Sequence, residues 1–289
     1  MKHPKMLDFL HSQIREGIIY SDDKSAKPHD YEKMTFEGTI GDVYQRMRDI
    51  LSSEYTETNH LDLYMTVPRL LRGIIDFGVE HPFSSFGEDV YIELKNRANE
   101  IANCVFSGNF GDAKTITERL FDDLDIDSGC PYSIDQIQSF IVKESADSTT
   151  WNSGCPDNIK NLISVLGKRS ADVDILMIVG HGGYRSGYTI AAEIGAEPYP
   201  FRLSFNKKED RGPQLFRGET EHILRMIKNK QVVFFDEDVY EGNTAMLVSF
   251  FAKEALDIEI PLIATTKMEY EFGRAELFTY DDMDDRIFV

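Results

Sequence analysis

Gln231–Leu247 reads QVVFFDEDVYEGNTAML, and the fold is decided by this stretch. Val232–Phe235 is a short, wholly apolar run. That is the pattern of a strand covered on both faces. Asp236 and Glu237 follow at once, at the expected end of the strand. Carboxylates there can accept hydrogen bonds from the vicinal hydroxyls of a sugar. Gly242 permits a tight turn, and Asn243 and Thr244 open a helix expected to run through Ala255. Amides at a helix N-terminus favour a phosphate, and Thr244 adds a hydroxyl donor. One segment therefore offers sites for a sugar's hydroxyls and for its phosphate.

Working outward, the same grammar continues on both sides. Ile175–Val179 (ILMIV) is a short apolar strand, followed by the loop Gly180-His181-Gly182-Gly183 and a helix over Gly187–Gly195. Tyr199–Phe205 is a second strand, Gly218–Lys228 a helix, Val232–Phe235 the third strand and Ile258–Thr265 the fourth. Short apolar strands alternating with helices predict an α/β domain with a parallel sheet covered on both faces. Ligands of such sheets bind beyond the carboxyl ends of the strands. In the loop after Val179, glycines let backbone amides converge on an anion, and Arg185 supplies a charged fork. Ser186 either adds a hydroxyl donor or restricts the turn. His181 reads as an ordinary loop histidine rather than an acid–base group. After Phe205 come Lys207, Lys208, Arg211 and Arg217, a dense basic group for this chain. A solvated loop, its charge offset by Glu209 and Asp210, is the plain alternative.

These loops, in this order, resemble those of the type I phosphoribosyltransferases. VVFFDEDVYEGNTA is similar to that family's four apolar residues, acidic pair and phosphate loop. Arg185-Ser186-Gly187 followed by Ile190-Ala191-Ala192 is similar to its diphosphate loop, with Ser186 in place of a glycine. The resemblance covers about Asp157–Thr265. It implies a phosphoribosyltransferase-like domain that binds phosphoribosyl diphosphate, or a nucleotide, with Mg2+. Asp236 and Glu237 would hold the ribose hydroxyls and meet the metal indirectly, through the ribose. Gly242, Asn243 and Thr244 would cradle the 5′-phosphate. Arg185, Ser186 and Gly187 would hold the diphosphate, with Lys207 or Lys208 adding positive charge. The implied reaction moves a phosphoribosyl group to or from a nitrogenous base or amine. Two residues depart from the family pattern. Tyr240 stands where smaller side chains are usual, near the expected base. Glu241 stands where threonine is usual, and its charge would repel a phosphate. A non-catalytic module binding a nucleotide or phosphosugar, or serving as a scaffold, is the alternative they favour.

Two other motifs begin at the same places. Gly180–Gly187 suggests a dinucleotide-binding loop, but Arg185 occupies the third glycine position. Asp236-Glu237-Asp238 also resembles the nucleophile motif of haloacid dehalogenase-like phosphatases. The residues downstream carry no matching series of further catalytic side chains.

The chain has 289 residues, with 42% hydrophobic and 28% charged residues, as in a globular protein. Its net charge of −19 argues against nucleic-acid partners. No apolar run is long enough to span a bilayer, and the N-terminus lacks a secretory signal. No membrane partner and a cytoplasmic location are therefore expected. Cys104, Cys130 and Cys155 are unpatterned and read as reduced structural thiols.

A polar stretch, Ser145–Pro156, with the only tryptophan, Trp151, reads as a linker. It separates residues 1–150, mainly helical, from residues 151–289. Helices are expected over Lys5–Ile19, from a Thr39 cap to about Tyr55, and over His60–Phe77 with a kink or break at Pro68. Three more are expected over Phe86–Cys104, Asp112–Leu120 and Ser133–Val142. Ser21–Thr35 reads as a loop. Asp123, Asp125 and Asp127 fail the spacing of a calcium loop, and Asp281–Asp285 reads as a solvated tail. The helical half reads equally as a hood over the site, a dimerisation element that would make the protein a homodimer, or a partner-binding domain.

Overall fold

Covering both faces of a short apolar strand requires helices above and below it, and the computed structural model has this arrangement. It describes residues 3–15, 36–81, 87–122, 124, 131–144, 156–168, 173–180, 183–203, 210–238, 243–258, 262–269 and 272–279. The chain divides into two compact units, Met1–Asp147 and Ser148–Val289. The expected linker, the loop at Ser21–Thr35 and both aspartate runs lie outside the described residues, apart from Leu124 and Pro156.

The first unit is mainly helical. Its elements are α1 (Met6–Arg15), β1 (Phe36–Thr39), α2 (Ile40–Ser52), α3 (Glu57–Glu80), α4 (Glu88–Phe106), α5 (Phe110–Glu118), α6 (Ile134–Gln138) and β2 (Ile141–Glu144). Thr39 caps α2 as expected, in a reciprocal capping box with Asp42. Ile40, Val43 and Met47 form the buried stripe of α2. The central helix is α3, buried on nearly every side from Leu63 to Gly78. It runs through Pro68 without the break that was one of the two expected outcomes there. Burial all round supplies more stability than the roughly 3 kcal/mol an interior proline costs.

Two strands in this unit were not anticipated. β1 and β2 pair antiparallel from Phe36↔Glu144 to Thr39↔Ile141. The expected helix over Ser133–Val142 ends at Gln138, and β2 begins at Ile141. Each strand has four residues, too few to show alternation. The ribbon is tied to α3 by Arg69, whose Nε donates to Glu144 Oε2 at 2.6 Å. The same guanidinium lies 4.7 Å from the centre of the Phe36 ring.

The second unit is α/β. Its elements are α7 (Pro156–Lys168), β3 (Ile175–Val179), α8 (Tyr184–Ile194), β4 (Glu197–Phe201), α9 (Arg217–Ile227), β5 (Val232–Asp238), α10 (Asn243–Leu256), β6 (Leu262–Glu269) and β7 (Phe272–Thr279). The sheet order is β4-β3-β5-β6-β7. β3 is parallel to β4 and to β5, and β5 to β6, while β7 closes the far edge antiparallel to β6. Every residue of β3 is buried. Ile175, Met177, Val179, Val232 and Phe234 join one core with Ile223 of α9 and Ala245, Val248 and Ala252 of α10. Ile178 and Phe235, displaced by one residue along their strands, face the opposite layer, where α8 lies.

Boundaries shift for identifiable reasons. β4 begins two residues earlier than expected and includes Pro198 and Pro200. It is an edge strand, where prolines two apart leave the ladder intact and deny the outer side to another strand. β6 starts four residues late, directly after Pro261. β7 was not anticipated. Among the described residues no helix is long and apolar enough to cross a membrane.

Candidate functional site

In chain order the parallel strands are β3, β4, β5 and β6, and in space they run second, first, third, fourth. The order reverses between β3 and β5. Open α/β sheets bind ligands in the crevice at such a switch point, beyond the carboxyl ends of the strands. The segment after Val179 and the acidic end of β5 meet there.

The β3 side is built on close backbone approach. A Cβ on Gly180 would stand 2.5 Å from the Phe201 carbonyl oxygen and 2.7 Å from Tyr184 Oη. A Cβ on Gly183 would stand 2.6 Å from the Val179 carbonyl oxygen, with Phe235 of β5 at 3.5 Å. Only glycine fits these positions: Gly180 lies tightly against β4, and Gly183 against the end of β3 itself. α8 then starts at Tyr184, three residues sooner than expected, and no side chain caps it. First-turn amides without a side-chain cap are a suitable seat for an anion.

The early start changes the setting of Arg185, Ser186 and Gly187. They lie in the first turns of a helix rather than in an open loop. Arg185 is 8% exposed and Ser186 1%. Ser186 Oγ has no hydrogen-bond partner among the described residues. Gly187 rests on β3, where a Cβ would meet Ile178 Cγ2 at 2.7 Å. Thr189 Oγ1 donates back to the Arg185 carbonyl at 2.8 Å.

On the other side, β5 runs three residues past Phe235, through the acidic residues. Asp236 pairs with Thr265 of β6 and Asp238 with Thr266, so Glu237 is an extra residue in a bulge. Bulges bend a strand and redirect its residues, and they are frequent beside active sites. Asp236 is half-buried. Asn243 and Thr244 are the first residues of α10, with Thr244 half-buried. Of the expected site residues, the structure thus brings the Arg185–Gly187 turn, Asp236, the Glu237 backbone, Asn243 and Thr244 to one end of the sheet. Lys207, Lys208, Tyr240, Glu241, Gly242 and His181 lie outside the described residues.

The segment leaving β4 carries a feature that sequence reading missed. Arg202 donates from Nε to Asp210 Oδ2 at 3.1 Å and from Nη2 to Asp210 Oδ1 at 3.0 Å. Both residues are at least nine-tenths buried. Gln214 N also donates to the Arg202 carbonyl at 2.8 Å. The end of β4 is therefore tied to Asp210 and Gln214. Asp210, read as a solvated counter-charge, is half of that clamp. An arginine inside YPFRLSF was the available signal.

Among the described residues, no group of three or more His, Cys, Asp or Glu is placed to hold a metal ion. Magnesium often binds through one or two carboxylates together with substrate phosphates. Asp236 fits that more modest role. Cys104 is a free thiol whose pKa is pushed up to about 11, by burial first and then by Glu100 and Asp112, which favours the protonated form. No family model matches the chain, and neither a curated protein nor a solved structure matches it.

Proposed function

We propose that the C-terminal unit is a phosphoribosyltransferase-like domain. It binds phosphoribosyl diphosphate, or a nucleotide, with Mg2+ and transfers the phosphoribosyl group to or from a nitrogenous base or amine. The observation that carries this reading is the meeting of the glycine turn after β3 and the acidic end of β5 at the switch point of the sheet. In this reading the uncapped start of α8 receives the diphosphate, with Ser186 Oγ as an added donor. Asp236 and Glu237 take the ribose hydroxyls, and Gly242, Asn243 and Thr244 take the 5′-phosphate. Lys207, Lys208 and Tyr240 keep the roles that the resemblance implies. Magnesium would supply charge neutralisation on the diphosphate as it leaves.

A second reading has support of its own. Arg185 is buried and Gly187 is used in packing, so neither is free to wrap a leaving group as an open loop would. With Glu241 in the phosphate loop, this favours a module that binds a nucleotide or phosphosugar without turning it over.

Calorimetric titration of the full chain with phosphoribosyl diphosphate and Mg2+, beside a diphosphate-release assay over purine, pyrimidine and amine acceptors, separates the readings. Binding with release supports transfer, and Asp236→Asn should then abolish release. Binding without release, followed by release in Glu241→Thr, supports the binding module. Absence of binding at about 1 mM, the upper end of usual substrate KM values, refutes both.

A further inference from the structure

The helical unit contains a cavity of about 210 Å³ where α2 ends and α3 and α5 begin. One wall is aromatic. The His3 ring stacks on Tyr55, at 4.1 Å, and on Phe110, at 4.6 Å, and these two rings lie 5.8 Å from each other. Leu63 adds apolar surface, and Asn59 and Lys114 supply the polar groups. Behind this wall sits His60, fully buried. Its Nδ1 is 3.0 Å from Tyr55 Oη, Phe9 stacks on it at 4.0 Å, and Phe110 meets it edge-on at 4.9 Å. His60 Nε2 has no hydrogen-bond partner among the described residues. Buried polar atoms in that condition are uncommon in folded proteins and call for an explanation.

We propose that this cavity is a binding site for a small planar ring carrying a single carboxylate, with the ring on the aromatic wall formed by His3, Tyr55 and Phe110 and the carboxylate on Lys114. Size limits the ligand first. A cavity of roughly 150 Å³ holds a benzene ring, so this one holds one ring and one small substituent, and excludes a nucleotide. The wall favours a flat, polarisable face, because aromatic rings pair by offset stacking or edge contact. Lys114 is half-buried and has no ion-pair partner among the described residues. Asn59 uses its Nδ2 on Ser53 Oγ at 2.6 Å and on the Glu54 carbonyl at 2.9 Å. Its Oδ1 remains as an acceptor for a ring N–H. A net charge of −19 disfavours a second negative charge on the ligand. The proposal is independent of the reading of the C-terminal unit.

Pyrrole-2-carboxylate meets these requirements and serves as the probe, titrated into the full chain by calorimetry with saturation-transfer NMR. A ligand this small binds with a dissociation constant on the order of 1 mM. Lys114→Met removes a charge-assisted contact and should weaken binding about tenfold. Tyr55→Leu, at a partly exposed position, should weaken it in the same direction. The neutral amide of the probe and the non-planar cyclohexanecarboxylate should each bind about tenfold more weakly or worse. Thr244→Val, in the other unit, should bind normally. No binding at about 10 mM, binding unaffected by Lys114→Met, equal binding of cyclohexanecarboxylate, or loss of binding in Thr244→Val would each overturn the proposal.

Discussion

Replacing Gly187 by alanine tests how the first turns of α8 sit on the sheet. A methyl at this position would stand 2.7 Å from Ile178 Cγ2, 2.9 Å from Cγ1 and 3.0 Å from Cδ1. Carbon atoms in contact prefer roughly 3.5–4.0 Å, so helix or isoleucine must move by about half an ångström or more. Ile178 is fully buried in a strand paired on both sides, and has little room to yield. Overpacking of this kind costs about 1–3 kcal/mol. Against it stands a gain of roughly 1 kcal/mol, because alanine is the better helix former. The expected net loss is about 1 kcal/mol. Urea unfolding followed by circular dichroism should show a lower midpoint with an unchanged slope. Ile178→Ala isolates the contact. Alone it costs about 2–5 kcal/mol. In the Gly187→Ala background it should cost less, because the new methyl fills part of the space the isoleucine vacates. The double variant should therefore be more stable than the sum of the two changes by about 1 kcal/mol. A midpoint unchanged or raised by Gly187→Ala alone, together with additive costs, would refute the close packing. The glycine would then be explained better by a ligand than by Ile178.

Two further outcomes follow from buried charge and buried histidine. Arg202→Met leaves the Asp210 carboxylate buried without its bidentate partner and should cost about 3–5 kcal/mol. Adding Asp210→Leu should recover a large part of that loss in the same urea assay, whereas a single variant within about 0.5 kcal/mol of wild type would show that the clamp contributes nothing. His60 is held down to about 3, by burial first and then by the charge of His3. Because the folded value lies below the ordinary one of about 6.5, its contribution is complete above that pH and is lost as pH falls toward 3. The slope is about 1.4 kcal/mol per pH unit, or about 2 kcal/mol by pH 5. His60→Phe should flatten the stability curve between pH 7 and pH 5, and parallel curves for variant and wild type would refute the assignment.

What was legible in the sequence was whatever repeats along a short stretch. The apolar stripe of α2 and the Thr39 cap are local patterns, and so are the wholly apolar β3 and the apolar start of β5. β1 and β2 are too short to carry a period, and each exists because the other, far along the chain, supplies its hydrogen bonds. The prolines of β4 blurred its start, since their tolerance depends on its being an edge. The glycines before α8 suggested a loop over residues that the chain folds as helix, because the need for glycine at 187 comes from Ile178, across the layer. The acidic end of β5 shows the same division. That Asp236 and Glu237 follow a buried strand is written locally. That Glu237 is the extra residue of a bulge depends on its register with β6. The consequence for the site is specific. With Arg185 and Gly187 committed to the body of α8, an anion at this end of the sheet would be held mainly by main-chain amides at the uncapped helix start. That start depends on Gly180 lying close against β4 and Gly183 against the end of β3. Such an anion seat would therefore depend more on these two glycines, which carry no side chain, than on the arginine that first drew attention to the loop.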